Sequence, residues 1–177
     1  MSVDICAHFD PLPISGIVQV NPMPYTGDVL ARIATPAVAS IVDGFLSTGD
    51  VALYKCSRIE FIDSLFADAS TVPDALRWAW VGQGMLESSE DSRCALFRTQ
   101  DPSGFFAHGG RGLPLLCVVG TDDKLLRADA IVAEMQPHFK KMQVVRVQGG
   151  SHALHIDAQE ELVRALVAFV YSIEASA

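Results

Sequence analysis

The sequence predicts an α/β fold: a short parallel sheet of about three strands, flanked by helices and interrupted by a helical insertion. Three observations carry this. Short apolar runs ending in turn residues alternate with stretches of helical period across residues 113–171. Those runs include one that is apolar throughout, as a strand covered on both faces is. Residues 26–98, between the first run and the second, show helical spacings and few strand signals.

The elements follow in order. Met1 to Phe9 reads as the end of a helix. Ile14 to Val20 reads as a strand bounded by Pro13 and by Asn21-Pro22; its Ile17, Val18 and Val20 are β-branched and suit a pleated surface. Val38, Ile41, Val42, Phe45 and Leu46 repeat at helical spacings, as do Leu53, Cys56, Ile59, Ile62 and Phe66. A further helix is expected from Pro73, a favoured first-turn residue, with Asp74 at the positive end of its dipole and Leu76, Ala79, Trp80 and Gln83 along one side. Gln100 to Gly112 is rich in Gly, Pro and Ser and reads as a connecting loop. Leu115 to Val119 is the second strand. Ile131, Met135 and Phe139 mark a helix that Pro137 should kink or end. Val144 to Val147 is the third strand, stopped by Gly149-Gly150. The last helix is expected near Asp157, capped by Asp157 and Glu160, with Leu162, Leu166, Phe169 and Ile173 as its apolar stripe.

Composition limits the function classes. Of 177 residues, 50% are hydrophobic, and the mean hydropathy of +0.28 is too high for a disordered chain. The net charge of -8 offers no basic footprint, so no nucleic-acid partner is expected. The apolar runs are too short to span a membrane, and no membrane partner is expected. The four cysteines, Cys6, Cys56, Cys94 and Cys117, form no paired motif and suit a reducing, cytoplasmic location. The N-terminus lacks the pattern of a signal peptide. No cofactor is expected, because no dinucleotide or phosphate-loop motif occurs.

In an open parallel sheet, ligands bind at the carboxyl ends of the strands. Asp123 follows one strand end and His152 the next, separated by room for one helix and one strand. A carboxylate beside an imidazole fixes its tautomer and stabilises the imidazolium, as a nucleophile-activating base requires. Asp122 reads as a solvated neighbour. His152, His155 and Asp157 could form a metal set, but the spacing is unlike that of zinc pairs on helices, and no metal is expected. Trp78, Trp80, Phe105 and Phe106 are either pocket lining or core anchors.

The stretches Leu113-Pro-Leu-Leu-Cys-Val-Val-Gly-Thr-Asp-Asp123 and Gly149-Gly-Ser-His-Ala-Leu-His-Ile-Asp-Ala-Gln-Glu-Glu161 resemble the closing part of the α/β-hydrolases. Members of that family have a strand ending in Gly-x-x-Asp, matched by Gly120 and Asp123, and a Gly-x-x-His, matched by Gly149 and His152. The resemblance implies that Asp123 and His152 are the acid and base of a catalytic triad. It also implies a single partial α/β-hydrolase domain over residues 1–177, with residues 26–98 as a helical cap. Gln159 departs from the proline of many relatives. The larger departure is the nucleophile. No serine from Ser2 to Ser176 sits in Gly-x-Ser-x-Gly, the strand-to-helix elbow that carries it. Residues 2–9 would then be the helix after the elbow.

Four readings follow. One is a serine-hydrolase-type chain for an ester or related carbonyl, inactive alone because its serine and oxyanion donors are missing. Another is a non-catalytic interaction module, self-associating through an apolar sheet edge at Ile14 to Val20. The third is a truncated reading frame whose upstream continuation carries the elbow. The last, a flavodoxin-like or receiver-like unit, accounts for Asp122-Asp123 but poorly for the helical insertion.

Overall fold

The structure, a computed structural model, describes residues 1–175; Ser176 and Ala177 lie outside them. Its centre is a three-stranded parallel sheet in the order β1 (Ile17–Val20), β2 (Leu115–Gly120), β3 (Met142–Val147). Ile17 is in register with Leu115, and Leu115 with Met142. All residues of β2 are buried. The reason is visible in the alternation of its side chains. Leu115, Cys117 and Val119 join one apolar core, and Leu116 and Val118 join the other. Burial pushes the Cys117 thiol up to about 12, which makes it an inert core residue.

The first core is closed by α1 (Ser2–His8), α7 (Ser103–Arg111) and α8 (Ala128–Met135). The second is closed by α10 (Gln159–Glu174), whose Leu162 and Phe169 are buried and whose Leu166 and Ile173 pack beside them. Between β1 and α7 the chain forms α2 (Val29–Ile33), α3 (Ala37–Phe45), α4 (Val51–Ser64), α5 (Asp74–Gly84) and α6 (Ser89–Phe97). A single turn, α9 (Leu154–Asp157), precedes α10. Pro137 ends α8 in a 3-10 turn, as its missing N–H requires.

Three expectations from sequence need correction. The stretch from Gln100 to Gly112 is not a loop, since it contains α7. Asp101 accepts from the Ser103 N–H at its start, and Gly112, at φ 104°, ends it in the left-handed region. Its glycines serve close packing. A Cβ on Gly104 would stand 2.9 Å from the Cys6 carbonyl oxygen, and one on Gly109 would stand 2.7 Å from that of His138. The stripe expected in α4 holds only at its end. Leu53 and Cys56 are exposed, while Ser57 and Arg58 are buried. Gly44 explains Ser57, because a Cβ on Gly44 would fall 1.8 Å from the Ser57 hydroxyl oxygen, so α3 and α4 meet without room for a larger pair. Arg58 is tolerated because it donates to Glu87 at 2.9 Å and to Ser92 at 2.6 Å, and lies 3.9 Å over the Phe45 ring. Finally, no cap forms at Asp157. That residue ends α9, and Ala158 opens α10 without a side-chain bond. A capping box does form at Ser88 and Asp91, where α6 begins.

Candidate active site

The carboxyl ends of the three strands converge on one polar cluster. Asn21, directly after β1, adopts φ 39° and is 4% exposed. Asparagine tolerates this left-handed conformation better than other residues with a Cβ. Its Nδ2 donates to the carbonyl oxygens of Ser151 at 2.8 Å and His152 at 3.0 Å. Its Oδ1 accepts from the Gly120 N–H at 2.7 Å. One side chain therefore ties together the ends of all three strands. In the sequence, Asn21 reads only as a strand boundary. The signal available was an Asn-Pro pair at the carboxyl end of a strand.

Gly120 lets two loops approach. A Cβ there would lie 2.2 Å from the Gly150 carbonyl oxygen. Beyond it, Asp123 performs two tasks with two oxygens. Oδ1 accepts from the backbone N–H groups of Leu125 at 2.8 Å and Leu126 at 3.1 Å. Oδ2 meets His152 Nδ1 at 2.8 Å. The Asp123 side chain is 1% exposed and that of His152 26%. One carboxylate thus both caps the turn after β2 and orients the imidazole. Asp122 is exposed, and its carboxylate accepts from the Thr121 hydroxyl at 3.0 Å.

The histidine loop is held from several sides. Gly149 sits at φ 70° and donates to the Thr121 hydroxyl at 2.8 Å. The Ala153 N–H donates to the Leu65 carbonyl, just past α4, at 2.9 Å. Ser151 comes nearest to the nucleophile pattern, in Gly149-Gly150-Ser151-His152-Ala153. It is fully buried, and its hydroxyl accepts from the Ala153 N–H at 3.2 Å. Among the described residues, the only side-chain hydrogen bond of His152 is the one through Nδ1, which leaves Nε2 unengaged.

That ring borders a cavity of about 170 Å3. Leu30 from α2, Ile41 and Phe45 from α3, Phe61 from α4 and Leu125 and Leu126 from the aspartate loop are among its walls. Its lining is apolar except for Asn21 and His152. The aromatic residues singled out in the sequence do not line it. Trp78 is exposed, Trp80 stacks between Phe66 and His155, and Phe105 and Phe106 pack with Phe139 and Tyr25. His155 is thus a stacking partner. Among the described residues, no group of three or more His, Cys, Asp and Glu is placed to hold a metal ion, and no helix is long and apolar enough to cross a membrane.

Neither a protein-family model nor a curated protein sequence matches the chain. Solved structures do match. A protein from Burkholderia cenocepacia, provisionally assigned as an aryl esterase, superposes with a TM-score of 0.82 at 17% identity, over 98% of this chain and 60% of its own. An esterase from Rhodococcus sp. ECU1013 gives 0.80 at 21%, over 97% and 62%. The chain has the α/β-hydrolase fold. A bromoperoxidase from Bacillus anthracis matches as well, with a TM-score of 0.71 at 16% identity, over 96% and 62%. The α/β-hydrolase-fold chain spans about 60% of the length of the solved proteins it matches. Fold at such identities does not carry a substrate.

Proposed function

We propose that residues 1–177 supply the acid–base half of a serine-hydrolase-type site for an ester or related carbonyl, and that the nucleophile comes from outside this sequence. The observation that carries the reading is the Asp123–His152 pair at 2.8 Å, with its carboxylate buried and Nε2 unengaged. Asp123 holds the ring proton on Nδ1. His152 Nε2 then takes the proton of an attacking hydroxyl and returns it to the leaving alkoxide. Residues 26–98 act as the cap, since Leu30, Ile41, Phe45, Phe61 and Leu96 of that stretch line the cavity beside His152.

The test reads the transcript upstream of Met1 and expresses the longest in-frame chain beside residues 1–177. The long chain should carry Gly-x-Ser-x-Gly, hydrolyse p-nitrophenyl butyrate and react with a fluorophosphonate probe. His152→Ala in that chain should slow turnover by ~1,000-fold. Turnover by residues 1–177 alone that disappears in His152→Ala would overturn the placing of the nucleophile elsewhere. Full activity of the long chain carrying His152→Ala would overturn the role of the base.

A second reading, a non-catalytic module that pairs through β1, is favoured by one observation. β1 is an edge strand with Val18 and Val20 more than a third exposed, and an open apolar edge is a template for another strand. Such a chain elutes as a dimer or larger species in size-exclusion chromatography; a stable monomer at high concentration counts against it.

A further inference from the structure

β1 is an open edge of the sheet, and its backbone is directed in a regular way. The Ile17 N–H donates to the Pro114 carbonyl and the Asn21 N–H to the Val118 carbonyl, both on the β2 side. Backbone groups alternate along a strand, so those of Val18 and Val20 point outward. Val18 and Val20 are in register with Leu116 and Val118, and their side chains therefore lie on the face that α10 covers. They are nevertheless more than a third exposed. β3, the other edge, is guarded by charge. Lys140 and Lys141 precede it, and Arg146 within it pairs with Asp129. Such charges discourage the addition of a strand. β1, with the sequence Ile-Val-Gln-Val, has none.

α10 carries apolar residues beyond those its core contact uses. The Gln143 side chain donates to the Ser172 hydroxyl at 3.2 Å, which puts Ser172 on the β3 flank of the helix. At 3.6 residues per turn, Val163 and Val170 lie roughly 160–180° around the helix from Ser172, on the β1 flank. Val163, Val167 and Val170 follow one another at helical spacing, and each is about half exposed. This stripe and the two valines of β1 border the same edge of the molecule.

We infer that this edge is the interface with a second copy of the chain, related by a two-fold axis at Gln19. β1 pairs antiparallel with its own copy, and two three-stranded sheets become one of six strands. The outward groups set the register. Val18 and the second copy's Val20 exchange both backbone bonds, as do Val20 and the second copy's Val18, and Gln19 stands opposite Gln19 as the pair without backbone bonds. Gln19 is also what favours a second copy over another strand. Its side-chain oxygen is buried and, among the described residues, has no hydrogen-bond partner, which is rare for a buried polar atom. A turn of the amide lets the two glutamines at the axis bond each other. The two valine stripes of α10 then face one another across the joint. This deepens the second reading above and rests on it for the pairing of β1. It uses neither Asp123 nor His152.

Sedimentation velocity of the 177-residue protein, across a wide concentration range, should show a species of twice the 19.1 kDa of one chain and nothing larger. Val18→Lys and, separately, Val170→Lys should each give a monomer. Both positions are exposed, so the circular dichroism of each variant should match the wild type. The register is read by trapping with oxidised glutathione, after the exposed Cys56 and Cys94 are replaced by serine. Gln19→Cys should give a covalent dimer, because the Cα atoms of such a pair stand about 4.5 Å apart, within disulfide reach. Val18→Cys, which faces the second copy's Val20 and not itself, should stay uncrosslinked. So should Gln143→Cys on the β3 edge.

A wild-type monomer over the whole range overturns this inference together with the second reading. So does a dimer that survives Val18→Lys, or one that cross-links through Gln143→Cys, since it uses another surface. A dimer that Val18→Lys abolishes while Gln19→Cys fails to cross-link keeps the pairing of β1 and overturns the two-fold register alone. Species that grow past the dimer with concentration overturn the closed two-fold. An undiminished dimer in Val170→Lys overturns the part given to α10. Should Val18→Lys lose the wild-type dichroism, Val170→Lys and the Gln19→Cys cross-link decide in its place.

Discussion

Replacing Asn21 by alanine tests whether one buried amide holds the site together. The substitution removes three hydrogen bonds, of 2.7, 2.8 and 3.0 Å, from a residue only 4% exposed. Orphaning the buried Gly120 N–H costs about 1–3 kcal/mol, and each carbonyl that loses its donor about 1 kcal/mol more. Alanine at φ 39° adds about 1 kcal/mol of backbone strain. Asn21→Ala should therefore lose about 5 kcal/mol and Asn21→Gly, which is free of that strain, about 4 kcal/mol. The assay is urea unfolding at 25 °C. With a slope of about 2–3 kcal/mol per molar, the midpoint of Asn21→Ala should fall by about 2 M. The histidine loop should loosen too, seen as faster amide exchange at His152 and Ala153. A loss below about 1 kcal/mol in Asn21→Ala would refute the tie between the three strand ends, because a single unsatisfied buried donor should already cost that much. Recovery of wild-type stability in Asn21→Gly would place the whole effect in the backbone instead.

Asp123→Asn should keep the two backbone bonds to Leu125 and Leu126 through Oδ1, forcing its amide nitrogen toward His152. Nitrogen–proton NMR should then find the ring proton moved from Nδ1 to Nε2, and an unchanged tautomer would contradict the orienting role. Arg58→Ala should destabilise by about 3 kcal/mol in thermal melts, because its 3%-exposed guanidinium joins Glu87, Ser92 and Phe45. Arg58→Met should recover part of that through packing. Burial, and then the hydrogen bond to Glu134, push the Tyr25 phenol from 10 to about 12. Since this pKa is raised on folding, the stability it carries is complete below pH 10 and is lost as pH rises toward about 12. Tyr25→Phe should flatten that alkaline limb in melts recorded across the same range.

The strands were legible because their signals are local. Leu115 to Val119 is apolar throughout, and a strand covered on both faces needs that. Pro137 marks the end of α8 by chemistry that does not depend on its surroundings. The helical region was legible as a type and less so in its faces. Ser57 and Arg58 are buried for reasons that sit on other elements: Gly44 on α3, and Glu87 and Ser92 beyond α5. In α7, the glycines that resemble a loop are the points where that helix meets α1 and the turn before β3. Composition alone cannot separate a glycine that frees the backbone from one that makes room for a neighbour.

For the site, the residue types and the strand ends to which they belong are legible locally. Gly-x-x-Asp and Gly-x-x-His after two apolar runs suffice for that, since a parallel sheet brings successive strand ends to one side. Packing between elements supplies the rest. It brings Asp123 to within 2.8 Å of His152 and divides the aspartate oxygens between turn and imidazole. It makes Asn21 the tie between three strands and builds the apolar cavity from four separate helices and three loops. Each of these depends on distances between residues far apart in the chain, which hydrophobic period and turn chemistry leave open. The physical reason is that local patterns fix which face a residue presents, while packing across elements fixes what that face meets.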